Sequence, residues 1–256
     1  MLKILKLLTA ILLLALTSCN NPIQNVKKTF NFPTKAFVKI YKILNVDKCN
    51  TKENCKVGQF NSTGSGISIG RMGSDSLILT AGHVCSIKLA PSFLRSVGKY
   101  KIDMKVQNIY GVTGDAKIIN SVYDNQLDLC FLVARNLDTK AVLLSKNAPK
   151  PGDRIYSMAA PSGIFHPPTV PLLDGIYSGQ ISPTNSMITM YITYGASGGG
   201  VLNSDMELVG IIFATHPSYK TATLVSSHYS TLLFTHESFL KLREYLQKKI
   251  DSQIKN

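Results

Sequence analysis

The sequence predicts an all-β protein that ends in a helix, and three observations support this class. Apolar segments such as AFVKIYKIL, SLILT, DLCFLVA and LVGIIFAT recur along the chain, separated by Gly, Asp and Asn residues that are typical of turns. A looser stretch over residues 136–152 divides these segments into two halves. After Thr235, apolar residues recur at helical spacing. Two small barrels or one sandwich would accommodate the strands.

The C-terminal helix is predicted from a start signal and an apolar stripe. Thr235 is a residue type that caps helices, and Phe239, Leu242, Leu246 and Ile250 follow at spacings of three or four. We therefore expect residues 235–256 to form a helix and a short tail.

Composition limits the classes of partner. The chain has 256 residues, 45% of them hydrophobic, which is enough for a sizeable core. Its formal charge of +13 suits an anionic partner such as nucleic acid or a membrane surface. The lysines are not clustered around aromatic residues and no basic helix accompanies them, so nucleic-acid binding is not expected.

The N-terminal residues predict export. MLKILK supplies positive charge, and LLTAILLLAL is an apolar run too short to span a bilayer comfortably. The LTSC that follows resembles the lipobox of bacterial lipoproteins, in which the cysteine is acylated. We expect a signal peptide over residues 1–18, a lipid anchor on Cys19 and a tether over residues 19–34. The protein would then be held on a bacterial cell-envelope membrane, facing the periplasm or the exterior. A cleaved secretory peptide or an uncleaved anchor remain alternatives.

Export makes disulfides possible. CNTKENC closes a short polar loop, which predicts a Cys49–Cys55 bond. Cys85 and Cys130 lie in apolar surroundings, where a disulfide and buried free thiols are both open, and free thiols are the favoured interpretation. No cysteine or histidine spacing matches a zinc site, so neither a metal nor a cofactor is expected.

Three short stretches carry candidate chemistry. LILTAGHVC places His83 just after an apolar strand, DLCFLVA places Asp128 at the head of another, and GASGGG places Ser197 on a tight loop. A serine hydroxyl needs a base to take its proton, and the base needs a carboxylate to fix its tautomer. The backbone amides of Gly195 and Ser197 would supply donors for an oxyanion.

The same stretches resemble a known family. LTAGHVC, DLCFLVA and YGASGGGVLNSDMELVGI are similar to the three catalytic blocks of trypsin-like serine peptidases. PGDRIYSMAAPSG resembles a segment of their bacterial HtrA-type and glutamyl-endopeptidase-like members. The resemblance covers roughly residues 35–250. It implies a chymotrypsin-like fold of two antiparallel six-stranded β-barrels, over residues 35–140 and 141–234, followed by the C-terminal helix.

The resemblance also implies roles for the three residues. Ser197 would be the nucleophile, His83 the general base and acid, and Asp128 the carboxylate that orients the imidazole. The activity implied is hydrolysis of peptide bonds in polypeptide substrates through an acyl-enzyme. Many relatives have Asp or Asn directly before the serine, where this chain has Ala196. Activation by burying a newly cut amino terminus against that acid is therefore not expected.

Specificity is predicted from the position of the family's primary pocket. Its base lies six residues before the nucleophile, and one wall follows the strand after the serine. The lining expected here is Tyr191, Ile192, Phe213, Ala214 and Thr215. Because these positions carry no carboxylate to compensate a buried cation, cleavage after small or medium uncharged residues is expected, not after Arg or Lys. His216 and His228 keep a glutamyl specificity open as the alternative.

Two other functions fit parts of the sequence. A protease-shaped lipoprotein that binds partners without cutting them is the main alternative, and an esterase is a second, although the order His, Asp, Ser differs from that of α/β-hydrolases. GSGISIG begins like a dinucleotide fingerprint, but Ile69 stands where the third glycine belongs, so that interpretation is discarded.

Overall fold

The computed structural model describes residues 31–86, 89–216 and 219–254. The predicted signal peptide, the lipidation site Cys19 and most of the tether lie outside these ranges. Within them, no helix combines the length and the hydropathy needed to cross a membrane.

The first half of the described chain forms a closed antiparallel barrel. Its strands are β1 (Phe37–Cys49), β2 (Gly58–Met72), β3 (Asp75–Thr80), β4 (Val97–Asn108), β5 (Thr113–Tyr123) and β6 (Asp128–Ala134). Around the barrel they follow the order β1-β2-β3-β6-β5-β4. Two short helices, α1 (Gly82–Cys85) and α2 (Pro91–Ser96), lie between β3 and β4.

The second half repeats this architecture. Its strands are β7 (Arg154–Met158), β8 (Leu172–Gln180), β9 (Asn185–Thr189), β10 (Gly200–Leu202), β11 (Leu208–His216) and β12 (Tyr219–Ser226). They close in the order β10-β11-β12-β9-β8-β7. The prediction of two six-stranded antiparallel barrels is thereby confirmed.

Strand β6 shows why a continuous apolar run marks a barrel strand in this fold. Every residue of DLCFLVA is buried. Leu129, Phe131 and Val133 pack in the large cluster that also receives side chains from the second barrel and the C-terminal helix. Cys130 and Leu132, which point to the opposite face, pack inside the first barrel. Both faces of the strand are apolar because both are covered.

The C-terminal helix α3 spans His228–Ile254, so it begins seven residues before the predicted cap. Thr235 lies inside the helix, where its hydroxyl donates to the carbonyl oxygen of Thr231 (2.6 Å). The predicted start is therefore wrong, because a buried threonine can hydrogen-bond one turn back within a helix as well as cap one. The buried stripe also differs in part from the prediction: Leu242 is buried, whereas Phe239 and Ile250 are 40% and 50% exposed.

Two disulfides are present among the described residues. Cys49 and Cys55 are bonded, as predicted from their short polar loop. Cys85 and Cys130 are bonded as well, with their Cα atoms 6.4 Å apart. The favoured interpretation of Cys85 and Cys130 as free thiols is therefore wrong, because helix α1 packs against strand β6 and brings two apolar-environment cysteines within bonding distance.

Candidate active site

His83 lies on helix α1, one turn beyond the end of strand β3. Its backbone N–H donates to Oδ1 of Asp128 (2.8 Å), and its ring Nδ1 lies 2.8 Å from Oδ2 of the same carboxylate. An ionised carboxylate only accepts hydrogen bonds, so Nδ1 carries the proton in this contact and Nε2 is left as the acceptor. The arrangement prepares the imidazole to take a proton from a hydroxyl.

Gly82 explains how the backbone of His83 reaches that carboxylate. A Cβ atom at Gly82 would lie 2.1 Å from the carbonyl oxygen of Val122 and 3.1 Å from Oδ1 of Asp128. The glycine in TAGH is thus required by close approach of the backbone to strand β5 and to the carboxylate.

Ser197 lies on a tight loop that leads into strand β10. Gly195 and Gly198 have φ angles of +90° and +89°, a region that favours glycine. The loop closes on itself through a bond from the N–H of Gly199 to the oxygen of Ala196 (2.9 Å). The glycines therefore serve loop geometry and hold the backbone of Ser197 in one position.

The first barrel anchors this loop through Ser65. The N–H of Ser65 donates to the carbonyl oxygen of Ser197 (2.8 Å), and its hydroxyl donates to that of Gly195 (2.7 Å). The same hydroxyl accepts a bond from the N–H of Ala160 (2.9 Å) in the second barrel. At the neighbouring Gly64, a Cβ atom would lie 3.2 Å from the Ser197 oxygen. The GSG segment that begins the discarded dinucleotide motif thus lies in strand β2 and supports the serine loop.

The backbone amides expected to face an oxyanion are available. In the described part of the chain, no hydrogen bond is made by the N–H of Gly195 or of Ser197. Both residues line the same cavity. Backbone donors without partners beside a serine hydroxyl form a site for a developing negative charge.

Two cavities meet at His83 and Ser197. The first, of about 630 Å³, contains all five residues predicted for the specificity pocket. Its lining is His83, Tyr191, Ile192, Thr193, Tyr194, Ser197, Phe213, Ala214 and Thr215. Tyr191 is one of these lining residues and is 64% exposed.

The two histidines considered for glutamyl specificity do not line this cavity. Nε2 of His228 lies 2.9 Å from the carbonyl oxygen of Ser145, at the start of helix α3. His216 is the last residue of β11, directly after the lining residue Thr215, and its side chain is exposed.

The second cavity, of about 590 Å³, shares His83, Tyr194 and Ser197 with the first and was missed by sequence reasoning. Its lining is Lys42, Ser62, Thr63, His83, Val84, Ser162, Gly163, Tyr194, Gly195 and Ser197. The turn at Pro161–Gly163 is tied to the serine loop by a bond from the N–H of Ser162 to the oxygen of Tyr194 (2.5 Å). The PSG tripeptide was the available signal for this wall, whereas nothing in the local pattern marks Lys42.

Two antiparallel barrels that place a histidine bonded to an aspartate beside the cavities of a serine define a chymotrypsin-like peptidase domain. The sequence agrees: residues 64–211 match the family of trypsin-like peptidase domains. That match covers more than half of the chain, and the protein belongs to this family. No curated protein sequence matches the chain.

Solved structures share the fold at low sequence identity. A serine endoprotease from Yersinia pestis has a TM-score of 0.58 and 19% identity, over 80% of this chain and 63% of that chain. The active form of the Rv3671c protease from M. tuberculosis has a TM-score of 0.57 and 15% identity, over 79% and 80%. The chain thus spans about 63% of the length of the Yersinia pestis structure.

Proposed function

We propose that the protein is a serine endopeptidase that acts through Ser197, His83 and Asp128. One observation carries the proposal. His83 is fixed by two hydrogen bonds to Asp128, and it lines both cavities that Ser197 lines. The family match supports a peptidase, the hydrogen bonds support the roles of His83 and Asp128, and the shared cavities support that of Ser197.

The acylation step follows from the proton positions. Nε2 of His83 takes the hydroxyl proton as Oγ of Ser197 attacks the carbonyl carbon of the substrate. The carbonyl π electrons move to the oxygen, which then faces the N–H groups of Gly195 and Ser197. As the intermediate collapses, the C–N bond breaks and His83 gives its proton to the departing amine. Asp128 stabilises the imidazolium between these two transfers.

Deacylation uses the same groups with water in place of the hydroxyl. His83 takes a proton from the water as the water oxygen attacks the acyl carbon. The ester bond to Ser197 then breaks, and its oxygen recovers the proton from the imidazolium. Each cycle returns the three side chains to their starting states.

The cavity of Tyr191 and Phe213 supports a preference for small or medium uncharged residues before the scissile bond. Among the described residues its lining has no carboxylate, so a buried Arg or Lys would have no compensating charge. A peptide library incubated with residues 20–256 tests this, and we expect Ala, Val, Leu or Thr at the cleaved position. Dominance of Arg, Lys or Glu there would contradict it.

We also propose activity without cleavage of an activation segment. Ala196 is fully buried in an apolar cluster with Ile155, Val201 and Ile212. An amino terminus placed there would lose its hydration without gaining a carboxylate partner. We therefore expect the full-length chain and the shortened chain of residues 20–256 to be labelled equally by an active-site probe.

Location in the cell envelope forms part of the proposal. The two disulfides are typical of an extracytoplasmic protein, and the LTSC sequence supports a lipid on Cys19. We expect the mature protein to partition into detergent, and the Cys19→Ala variant to lose this behaviour. A mature chain that begins at another residue and carries no lipid mass would refute the anchor.

The central experiment is labelling with a fluorophosphonate probe, which reacts with activated serine hydroxyls. The wild-type protein should be labelled at Ser197, and Ser197→Ala should abolish both labelling and peptide hydrolysis. Ser252→Ala, on the exposed surface of helix α3, is the matched control and should label normally. Absence of labelling in the folded wild type would favour a binding module over an enzyme.

A further inference from the structure

Lys42 of strand β1 lines the second cavity, and Lys39 of the same strand contacts one of its lining residues. Nζ of Lys42 donates to the carbonyl oxygen of Ser86 (2.7 Å), directly after the helix that carries His83. Nζ of Lys39 donates to the carbonyl oxygen of Gly163 (2.7 Å), which is one of the lining residues. Each ammonium group is therefore held in place by a backbone carbonyl.

Both ammonium groups lack an anionic partner among the described residues. Neither forms an ion pair with a described carboxylate, and the described lining of the cavity has no Asp or Glu. Burial lowers the pKa of Lys42 and of Lys39 below the ordinary value of 10.5, which means that their charged forms are incompletely solvated. A carboxylate in the cavity would stabilise the charge of Lys42, which lines it.

The location of the cavity fixes which part of a substrate enters it. A peptide bound across Ser197 extends in two directions, and the cavity of Tyr191 and Phe213 receives the side chain before the scissile bond. The cavity with Lys42 shares His83, Tyr194 and Ser197 with it but is otherwise lined by different residues, and His83 protonates the departing amine. The residues that follow the scissile bond therefore pass Lys42.

We propose that Lys42 forms a subsite for a carboxylate on the leaving side of the scissile bond. The carboxylate belongs either to an Asp or Glu side chain at the first or second position after the bond, or to the terminal carboxyl group of a short leaving peptide. Hydroxyls of Ser62, Thr63 and Ser162 line the same space and can donate to it. This proposal rests on the proposed peptidase function and names its substrate class.

The test uses matched peptides that differ only after the scissile bond. Each pair carries Glu or Gln at the first or second position, with the peptide terminus either amidated or free. For the wild type we expect kcat/KM about tenfold higher for the Glu peptide, the size of a partly screened charge-assisted contact. A preference for free over amidated termini would identify the terminal carboxylate as the source.

Variants of β1 distinguish a peptide preference caused by the subsite from one caused by the overall positive charge of the protein. Lys42→Gln should bring the Glu to Gln ratio close to one, and Lys42→Arg should retain most of it. Lys48→Gln, on the same strand but exposed, changes the net charge equally and should leave the ratio unchanged. Equal ratios in Lys42→Gln and Lys48→Gln, or a wild-type ratio within twofold of one for every carboxylate, would overturn the subsite.

Binding of the same peptides to Ser197→Ala distinguishes failure of the subsite from failure of the enzyme. Fluorescence anisotropy should show tighter binding of the carboxylate peptide, and loss of this difference when Lys42→Gln is added. A Lys42-dependent preference in binding without hydrolysis by the wild type would keep the subsite and overturn the peptidase. Hydrolysis by the wild type without a Lys42-dependent preference in binding would keep the peptidase and overturn the subsite.

Discussion

Cys85 and Cys130 are joined by a disulfide that spans 45 residues, the same interval that separates His83 from Asp128. Cys85 lies two residues after His83, and Cys130 lies two residues after Asp128. The disulfide therefore runs beside the hydrogen bond between imidazole and carboxylate. Both cysteines are buried. The disulfide therefore fixes the distance between helix α1 and strand β6. At this point of the structure, that distance determines the orientation of His83.

Removing this disulfide should affect both stability and activity. We expect the Cys85→Ala, Cys130→Ala double variant to lose about 2–5 kcal/mol in its free energy of unfolding. Its probe-labelling rate should also fall because His83 is less firmly placed. The matched control is the Cys49→Ala, Cys55→Ala variant, which opens a shorter loop and should label at the wild-type rate. Equal labelling rates in the two double variants would contradict the positioning role.

Asp128→Asn should reduce kcat by about four orders of magnitude while leaving the fold intact. The amide nitrogen of Asn would donate to Nδ1 of His83, which forces the proton onto Nε2 and removes the acceptor that Ser197 needs. Asp174→Asn, at an exposed ion pair with Arg154, is the control and should retain full turnover. Steady-state hydrolysis of one peptide by the three proteins suffices. Turnover of Asp128→Asn within about tenfold of wild type would rule out this role.

Gly198→Ala should disrupt the serine loop. The added Cβ would lie 2.0 Å from both the carbonyl oxygen of Ser65 and Oγ1 of Thr80, in addition to the strain of a φ near +89°. Gly152→Ala is the matched control, since its φ is +96° and no atom lies within 4 Å of the new Cβ. The control should lose about 1–2 kcal/mol of unfolding free energy from backbone strain and keep its activity. We expect Gly198→Ala to lose probe labelling, and similar urea unfolding and labelling for both variants would contradict this.

Ser65→Ala should weaken the contact between the barrels. It removes the hydroxyl that bonds to Gly195 and Ala160 while leaving the backbone bond to Ser197. We expect a loss of about 1–3 kcal/mol in the free energy of unfolding and a slower labelling rate. Ser76→Ala is a control, because its buried hydroxyl donates to the oxygen of Leu137 within the first barrel.

The two serine variants should then differ in one measurement. Both should lower the free energy of unfolding, but Ser76→Ala should keep the wild-type labelling rate. A labelling rate for Ser65→Ala equal to that of Ser76→Ala would show that the Ser65 hydroxyl serves stability alone.

The features that the sequence predicted correctly are those that short-range patterns of residues encode. The strand-like segments, the loop geometry of Gly195 and Gly198, and the short Cys49–Cys55 loop all depend on neighbouring residues. The Cys85–Cys130 bond depends on the packing of distant segments, which spacing alone does not reveal. For the same reason the support that Ser65 gives to Ser197 was missed, since it crosses from one barrel to the other. The start of helix α3 was misplaced because Thr235 hydrogen-bonds within the helix.

The anchoring of the serine loop by Ser65 has a consequence for the cell that makes this protein. The imidazole and carboxylate belong to one barrel and the serine to the other, while the loop is held across the boundary between them. A partly synthesised or unfolded chain therefore has the three side chains but not their arrangement. The proposed peptidase activity therefore requires both barrels to have closed and docked, and a chain that has not yet folded cannot cut the proteins around it.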